Sequence, residues 1–373
     1  MKKIILIIFV LIFNANQAFS IEEITLEQKD LNPWHYGDYL SDIYYGKVEN
    51  VPKALQLFGK KGLVFENSKI NSVKLHMLYS GEMTYLNTEH SGQFFNHDFA
   101  TVEPKVSVHF NDNKTHAMFD INLTGTIDGY SNWLTQRIRQ VYIAHQITPR
   151  QTVVLGQYWR LPSTHDGSRG IYDQDMVTKT QLGRTFGNTM STGIRNLGNY
   201  KYVDYDIGLY DSTRFMKDFG NGLDFTGNIM FKPLADVKEK TGDFKIGAGY
   251  SVGKNNISYS QYSLFAGYDI KKFHAKIEYA SANGYNGIYE SKNSAEGMYA
   301  TLAYDLTPKL QILGRYDVFD YNTNADNDTT SEYSLGFVYK PFENMKVLLN
   351  YVFTTGNNQP NSNGILFATR FIL

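Results

Sequence analysis

The sequence contains no cysteine in its 373 residues, which excludes disulfide bonds, thiol nucleophiles and thiolate-ligated metal sites. It also lacks any stretch of about 20 nearly uncharged apolar residues, so a bundle of membrane-spanning helices is excluded. Neither sign of charge is in excess, because the chain has 36 Lys and Arg residues and 37 Asp and Glu residues. This balance excludes a strongly basic nucleic-acid-binding protein, and no nucleic-acid partner is predicted.

The first twenty residues have the layout of a secretory signal peptide. Lys2 and Lys3 give a short positive region, and residues 4–13 (IILIIFVLIF) form an apolar core that is too short to span a bilayer. Ala18 and Ser20 are small residues suited to cleavage after Ser20. A buried N-terminal helix or strand is the alternative, but it does not explain this order of features. The sequence predicts an exported protein with a signal peptide over residues 1–20.

From about residue 70 onward, apolar and polar side chains alternate in short stretches that are separated by turn residues. In residues 273–279, for example, every second residue is apolar (Phe273, Ala275, Ile277, Tyr279). Such alternation is typical of β-strands with one apolar face. Sixteen segments of this kind are predicted near residues 70–87, 100–110, 117–127, 136–146, 151–159, 189–197, 202–210, 224–232, 243–252, 258–271, 273–281, 296–306, 309–320, 331–341, 345–355 and 364–373.

The connections between these segments alternate between short turns and longer polar loops, which is typical of an outer-membrane β-barrel. The predicted long loops include residues 88–99 and 282–295, and the longest connection, residues 160–188, follows the fifth segment. We therefore predict an all-β protein: a transmembrane antiparallel β-barrel of about 16 strands over residues 70–373. Residues 21–69 do not alternate and are predicted to form a short periplasmic N-terminal segment.

The charged and aromatic residues favour a membrane barrel over a soluble one. The polar faces carry full charges that would be costly in a dry core and require a wet lumen (Glu103, Lys105, Asp204, Asp206, Glu278, Arg315, Asp317, Arg370). Tyrosine and phenylalanine are abundant, and those near strand ends could form interfacial girdles (Tyr79, Tyr85, Tyr210, Phe231, Tyr304, Tyr339, Tyr351). A secreted soluble β-protein, such as a sandwich or a repeat adhesin, is the alternative.

Several short runs resemble a known family of channels. Residues 152–162 (TVVLGQYWRLP) resemble the strand of the phosphate-selective porin O and P family that ends in Gly-Gln-aromatic-Lys-x-Pro. Residues 192–195 (TGIR), 204–210 (DYDIGLY) and 313–317 (LGRYD) are similar to later strands of that family. The resemblance implies a sixteen-stranded, usually trimeric porin of the Gram-negative outer membrane. One departure is that acids interleave with bases on every polar face, where a phosphate channel is expected to have a ladder of bases.

The resemblance implies that the long third loop, residues 160–188, folds into the lumen as the pore constriction, because the third long loop narrows the lumen in sixteen-stranded porins. Six of its seven charged residues are the candidate constriction residues (Arg160, Arg169, Asp173, Asp175, Lys179, Arg184), and Asp166 is the seventh. We hypothesise that its three arginines face Asp173 and Asp175 across the pore, which would give a transverse field that orients polar solutes. The alternative is that the loop hangs outside the barrel as a solvated surface loop.

Ten further residues on the polar faces are predicted to face the lumen (Gln157, Arg195, Asp204, Asp206, Lys245, Lys276, Glu278, Arg315, Asp317, Arg370). The bases among them would favour anions, and Asp204 and Asp206, together with Asp269 and Asp305, would oppose that preference. The sequence therefore predicts a mixed lining, and it leaves the selectivity of the lumen open.

The predicted function is that of an outer-membrane porin, which forms a water-filled channel for passive diffusion of small hydrophilic solutes and ions. Alternatives are a substrate-specific, phosphate-type anion channel and, from other classes, a barrel adhesin or an outer-membrane phospholipase. Ser251 lies in a Gly-x-Ser-x-Gly run, but within an alternating strand rather than at a strand-turn-helix elbow. We predict no enzyme activity, cofactor or metal. The predicted partners are outer-membrane lipid, small hydrophilic solutes or anions, and two further copies in a homotrimer.

Overall fold

The computed structural model describes residues 63–64, 69–89, 91–112, 114–124, 137–159, 164–168, 172–187, 190–212, 222–254, 257–286, 290–326, 328–342, 344–357 and 360–372. The predicted signal peptide and nearly all of the predicted N-terminal segment lie outside the described residues. Arg160 and Arg169, two of the predicted constriction residues, also lie outside them.

Strands make up most of the described chain. In chain order they are β1 (Leu63–Val64), β2 (Ile70–Thr88), β3 (Gly92–Phe110), β4 (Thr115–Ile121), β5 (Ile138–Thr148), β6 (Gln151–Trp159), β7 (Met190–Asn199), β8 (Val203–Asp211), β9 (Leu223–Phe231), β10 (Asp243–Lys254), β11 (Ser258–Ile270), β12 (Phe273–Asn286), β13 (Glu290–Thr307), β14 (Leu310–Asp320), β15 (Thr329–Tyr339), β16 (Met345–Gly356) and β17 (Ser362–Ile372). Three short helices accompany them, namely α1 (His165–Ser168), α2 (Gln181–Thr185) and α3 (Lys238–Thr241). No helix in these ranges is long and apolar enough to cross a membrane.

The sheet closes on itself. Each strand from β2 to β17 pairs antiparallel with its sequence neighbour, and β17 pairs with β2, where Phe371 lies opposite Tyr79. The two-residue β1 pairs with β2 at Ser72 and Val73, beyond the end of β17. Closure pairs the first and last strands of the barrel with each other, which is what a sheet needs in order to span lipid. The prediction of a sixteen-stranded antiparallel barrel is confirmed, and each of the sixteen predicted segments corresponds to one strand from β2 to β17.

Two predicted loops are strands instead. Residues 92–99 belong to β3, and residues 282–286 and 290–295 belong to β12 and β13. A transmembrane strand needs only about 9–11 residues, whereas β2 and β3 each have 19 residues. These hairpins therefore continue beyond the thickness of a bilayer. In residues 92–99, Phe94 and Phe95 are adjacent and therefore point to opposite faces, and both are more than half exposed. The alternation of apolar and polar residues that marks the other strands is therefore absent from this stretch.

The two faces of the barrel wall differ in chemistry. Apolar side chains on the outer face are more than half exposed (Leu155, Leu264, Leu302, Leu335). Charged side chains on the inner face are fully buried (Glu278, Asp317, Arg370). An apolar outer belt around a charged interior is the reverse of a soluble barrel and is typical of a barrel in lipid.

Two tyrosines flank a pair of glycines on the inner wall. Gly156 of β6 lies opposite Gly193 of β7, and this pair is flanked by Tyr142 of β5 and Tyr210 of β8. Gly156 has a φ of +135°, and a Cβ at this position would lie 2.4 Å from the carbonyl oxygen of Val141. The close approach of these strands therefore requires glycine. Tyr210 is fully buried on the inner face, so its predicted place in an interfacial girdle is wrong.

Candidate functional site

Nine of the ten residues predicted to face the lumen lie on the inner face of the wall; seven of these are buried, and Lys245 and Lys276 are half-buried. The prediction is wrong for Gln157, which follows Gly156 of the inner wall and pairs in register with Val141 and Thr192 on the other face, although its side chain is buried. Ser251 is also on the inner face, inside an unbroken ladder between β9 and β11. The structure therefore gives it no strand-turn-helix elbow.

Opposite charges lie next to each other along much of the inner wall. The Nζ atom of Lys105 lies 3.4 Å from Glu103 and 3.1 Å from Asp120. Arg195 binds both carboxylate oxygens of Asp206 through its Nε atom, at 2.7 and 2.9 Å. Further pairs are Lys232 with Asp204 at 2.8 Å and Lys245 with Asp243 at 2.9 Å. Because each base has an acid beside it, these residues form no ladder of one sign. Each pair also has a weaker electric field at a distance than a single charge would have.

The described part of the predicted constriction loop contacts the inner wall. We call residues 164–168 and 172–187 the inner segment. Glu278 of β12 accepts hydrogen bonds from the backbone N–H groups of His165 and Asp166, at 2.5 and 3.0 Å. Asp317 of β14 accepts one from the backbone N–H of Gln181 at 2.6 Å. Both carboxylates belong to the inner face, so the segment lies on the lumen side of the wall at these points.

Three wall residues bind the middle of the inner segment through its backbone. Arg370 of β17 donates to the carbonyl oxygen of Val177 at 2.8 Å, and Asn350 of β16 accepts from the N–H of the same residue at 2.6 Å. Arg315 of β14 donates to the carbonyl oxygen of Thr178 at 3.0 Å. Because backbone groups must be paired when they are buried, these side chains stabilise a non-helical, non-strand segment inside the barrel.

Apolar contacts add to this attachment. Met176 and Val177 belong to one buried cluster with Leu313, Val338 and Leu348. Near the end of the segment, the ring of Phe186 lies 5.3 Å from the rings of both Tyr285 and Phe319. The Thr180 hydroxyl accepts a hydrogen bond from the N–H of Gly183 and so caps α2. The segment is therefore anchored at several points between β12 and β17.

Two ion-pair groups join the inner segment to the wall. Arg184 lies 2.7 Å from Glu332 of β15, which also binds Arg315 at 2.6 Å. Asp175 lies 3.5 Å from the Nζ atom of Lys346 on β16 and 4.0 Å from that of Lys276 on β12. Lys276 and Lys346 are on strands that have three other strands between them. Side chains so far apart along the wall reach one residue only because that residue lies inside the curve of the barrel.

The predicted constriction residues have the following places. Asp173, Asp175, Lys179 and Arg184 all belong to the inner segment. Arg184 pairs with a wall carboxylate and Asp175 with two wall lysines, so the hypothesis that loop arginines face loop acids across the pore stays a prediction. Sequence reasoning missed Glu332, Lys346 and Asn350, although all three lie on the polar faces of predicted strands and the same alternation could have selected them.

A cavity of about 30 Å³ lies between the inner segment and strands β12–β14, and its lining includes Asp175, Lys179, Lys276 and Arg315. Within the described ranges, no group of three or more His, Asp and Glu side chains is arranged to hold a metal ion. The chemistry of the site is therefore that of paired charges and hydrogen-bonding groups around a polar space.

The family model for phosphate-selective porin O and P matches residues 125–371, which is more than half of the chain. The chain belongs to this family. It is an outer-membrane porin, a channel for passive diffusion, and family membership identifies a channel rather than an enzyme. The porin lies in outer-membrane lipid, as its exposed apolar belt requires, and solutes pass through it. Among curated proteins, none matches the sequence.

Solved structures of other proteins share the fold. The anion-selective porin from Comamonas acidovorans has a TM-score of 0.61 at 11% identity, with 81% of this chain and 99% of that chain covered. The outer membrane channel DcaP of Acinetobacter baumannii has a TM-score of 0.57 at 14% identity, covering 83% of this chain and 99% of that chain. OmpT, an outer membrane protein of Vibrio cholerae, reaches 0.58 at 12% identity, with 83% and 99% covered.

Proposed function

We propose that residues 160–188 form the constriction of this porin and set the size limit for small hydrophilic solutes. The observation that carries the proposal is the attachment of the inner segment to inward-facing side chains of β12, β14, β15, β16 and β17. A segment held there takes up part of the cross-section of the lumen, so solutes pass between it and the opposite wall.

The absence of cysteine makes this proposal testable by single-cysteine labelling. Lys179→Cys places a thiol in the inner segment, beside the cavity. A negatively charged, thiol-specific methanethiosulfonate reagent should reduce the single-channel current of this variant, because it adds bulk and charge at the narrowest point. Lys201→Cys is the matched control, since Lys201 is an exposed lysine in the turn between β7 and β8. Labelling of Lys179→Cys without any change in current would refute a constriction at this segment.

A preference for small anions is the second candidate, and two observations favour it. The structural neighbour from Comamonas acidovorans is named an anion-selective porin. In addition, three cations line the cavity beside the inner segment (Lys179, Lys276, Arg315), and Lys346 lies 3.5 Å from Asp175. Pairing with carboxylates weakens their field, so the preference for anions should be mild. Reversal potentials across a bilayer in a KCl gradient measure it, and a clear cation preference would reject the anion channel while leaving the diffusion channel intact.

Two further features of the mature porin belong to this proposal. Cleavage after Ser20 follows from the layout of the signal peptide, and N-terminal sequencing of the protein from outer membranes should begin at Ile21. A homotrimer is implied by the family resemblance, and sedimentation in density-matched detergent should give the mass of three chains. A monomeric mass at which the channel still conducts would refute the trimer.

A further inference from the structure

The short turns at one rim of the barrel are rich in basic residues. Seven turns join β3 to β4 and each later pair of strands up to β15 and β16, over residues 111–114, 149–150, 200–202, 232–242, 271–272, 308–309 and 340–344. Each contains at least one exposed base (Lys114, Arg150, Lys201, Lys240, Lys271, Lys272, Lys309, Lys340). Together the seven turns have ten bases and four acids, although the whole chain has slightly more acids than bases. Short turns lie at the periplasmic end of an outer-membrane barrel, so this end is a cationic surface.

Four of these lysines lie close together across three neighbouring turns. We call Lys271, Lys272, Lys309 and Lys340 the basic patch. The backbone N–H of Asp305, at the end of β13, donates to the carbonyl oxygen of Lys272 at 2.8 Å, and that of Lys340 donates to the carbonyl oxygen of Lys309 at 2.8 Å. These hydrogen bonds hold the three turns side by side. The four ammonium groups therefore belong to one continuous part of the rim.

The acids nearest to the basic patch bind another partner. Asp269 and Asp305 lie 2.8 and 3.0 Å from the two ring nitrogens of His274. Within the ranges that the structure describes, none of the four patch lysines forms an ion pair. Lys309 donates to the carbonyl oxygen of Pro341 at 3.3 Å, but an ammonium group has three donors. The charge of the patch is therefore available to an external partner.

Exposed apolar side chains reach up to the basic patch. Phe273 follows Lys272 in the chain and lies opposite Tyr304 on the outer face. Phe273, Tyr304, Leu306 and Phe342 are all more than a third exposed. The apolar outer belt thus ends where the lysines begin. Lysine at such a boundary places its alkyl stem against acyl chains and its ammonium group at the level of lipid headgroups.

The backbone of the β11–β12 turn gives a second observation. Lys271 has a φ of +51°, and among the described residues it is the one non-glycine residue with a positive φ. Tight hairpin turns favour glycine at such a position, because glycine has no Cβ to clash. Backbone geometry therefore does not explain a lysine here, and its charge is the property that distinguishes it from the favoured residue.

We propose that the basic patch binds the headgroup phosphates of anionic phospholipids in the inner leaflet of the outer membrane. An ammonium group binds phosphate as a point charge with several donors. The patch adjoins the apolar belt, so one lipid can contact the belt with its acyl chains and the lysines with its headgroup. The partner is therefore a lipid rather than a free solute. Binding here needs only the place of the barrel in outer-membrane lipid and is independent of the constriction.

Quenching of tryptophan fluorescence by brominated lipids measures which lipid lies next to the patch. Phe273→Trp puts a probe on the outer face beside Lys272, and subtraction of the signal of the parent porin removes the three native tryptophans. The full-length porin is placed in phosphatidylcholine bilayers that contain either brominated phosphatidylglycerol or brominated phosphatidylcholine. Phosphatidylglycerol should bind next to the probe at least about fivefold more tightly, the factor that corresponds to about 1 kcal/mol for one basic residue at an anionic surface. This preference should weaken as NaCl is added, because salt screens the attraction.

Two double variants of the Phe273→Trp porin test whether the lysines cause the preference. Lys271→Gly, Lys272→Gln should reduce it to within about twofold of equal binding, because the charges beside the probe are lost. Lys254→Gln, Lys292→Gln is the matched control, since it removes the same charge from two exposed lysines at the opposite rim. The control should keep the preference of the Phe273→Trp porin.

Urea unfolding in phosphatidylcholine vesicles separates lipid binding from folding. Lys271→Gly, Lys272→Gln should be at least as stable as its parent, because glycine accepts the positive φ without strain. A second pair, Lys309→Gln, Lys340→Gln, changes no residue of positive φ and should also weaken the preference for phosphatidylglycerol.

Two results would overturn the lipid site. One is equal quenching by the two brominated lipids in the Phe273→Trp porin. The other is an equal loss of preference in Lys271→Gly, Lys272→Gln and in the control pair. Either result leaves the channel intact, because chloride conduction does not depend on the patch.

Discussion

Glu332 is the carboxylate on which the attachment of the inner segment depends most, so Glu332→Gln is the sharpest perturbation of it. Its carboxylate is buried and binds Arg315 at 2.6 Å and Arg184 at 2.7 Å. Attraction between unit charges at 2.6 Å amounts to about 6 kcal/mol at an effective dielectric constant of about 20. Lost hydration offsets part of this attraction, and removal of one partner of a buried ion pair typically costs about 3–5 kcal/mol.

The local surroundings decide where in that range the cost falls. Asp317 lies 4.0 Å from the Nε atom of Arg315 and still compensates part of its charge after the substitution. Arg184 is more than a third exposed, so water solvates it when Glu332 is neutral. We therefore expect Glu332→Gln to lower the free energy of unfolding by about 3 kcal/mol, the lower end of the range for a broken buried pair.

Urea unfolding of the porin refolded into lipid vesicles, followed by tryptophan fluorescence, measures this change. Glu82→Gln is the matched control, since Glu82 also pairs with an inner-face arginine, Arg370, but at 3.4 Å and with a quarter of its side chain exposed. It should cost less than about 1 kcal/mol, as part-exposed pairs do. Single-channel recordings of Glu332→Gln should also show added current noise, because the end of the inner segment loses its ionic anchor. Equal losses of stability for the two variants would refute the ranking of these contacts.

Three further predictions concern the barrel itself. Gly156→Ala should lower the free energy of unfolding by about 1–3 kcal/mol, because alanine is strained at this φ and its Cβ would meet backbone atoms. Gly314→Ala is the control: its Cβ would have its nearest neighbour at 3.9 Å, so it should be close to neutral in the same urea assay. The Thr115 hydroxyl and two backbone N–H groups donate to Asp112 in the β3–β4 turn and lower the pKa of its carboxyl to about 2. The stability that the Asp112 carboxylate contributes is therefore present above its ordinary pKa of 3.8 and is lost as the pH falls through about 2. Asp112→Ala should flatten the acid limb of a stability-against-pH curve. Leu335→Arg puts a charge on the exposed apolar face and should lower folding stability in vesicles by about 2–4 kcal/mol if that face meets the bilayer midplane, and an unchanged vesicle-folding yield would contradict a lipid-facing position.

The strands of the barrel could be predicted because the alternation of apolar and polar residues is visible in neighbouring positions of the sequence. A segment such as residues 273–279 alternates strictly, and it forms part of β12. The alternation does not extend to residues 92–99 of β3, where the adjacent Phe94 and Phe95 put an apolar side chain on each face, so this stretch is predicted as a loop. Periodicity also does not tell which face of a strand points toward the lumen. Its place near a strand end predicts Tyr210 at the membrane interface, but its register opposite Gly193 places it on the inner wall.

The sequence by itself determined that the chain is a closed set of sixteen strands with one apolar and one charged face, since alternation and turn residues are local properties. Tertiary structure alone decided which charges meet. Asp175 is about 100 residues from Lys276 and about 170 from Lys346 along the chain, and these lysines converge on it only because the wall is curved, the strands are staggered and the inner segment lies within the curve. Pairings of this kind depend on the closure of the whole sheet, and no local pattern of residues records them.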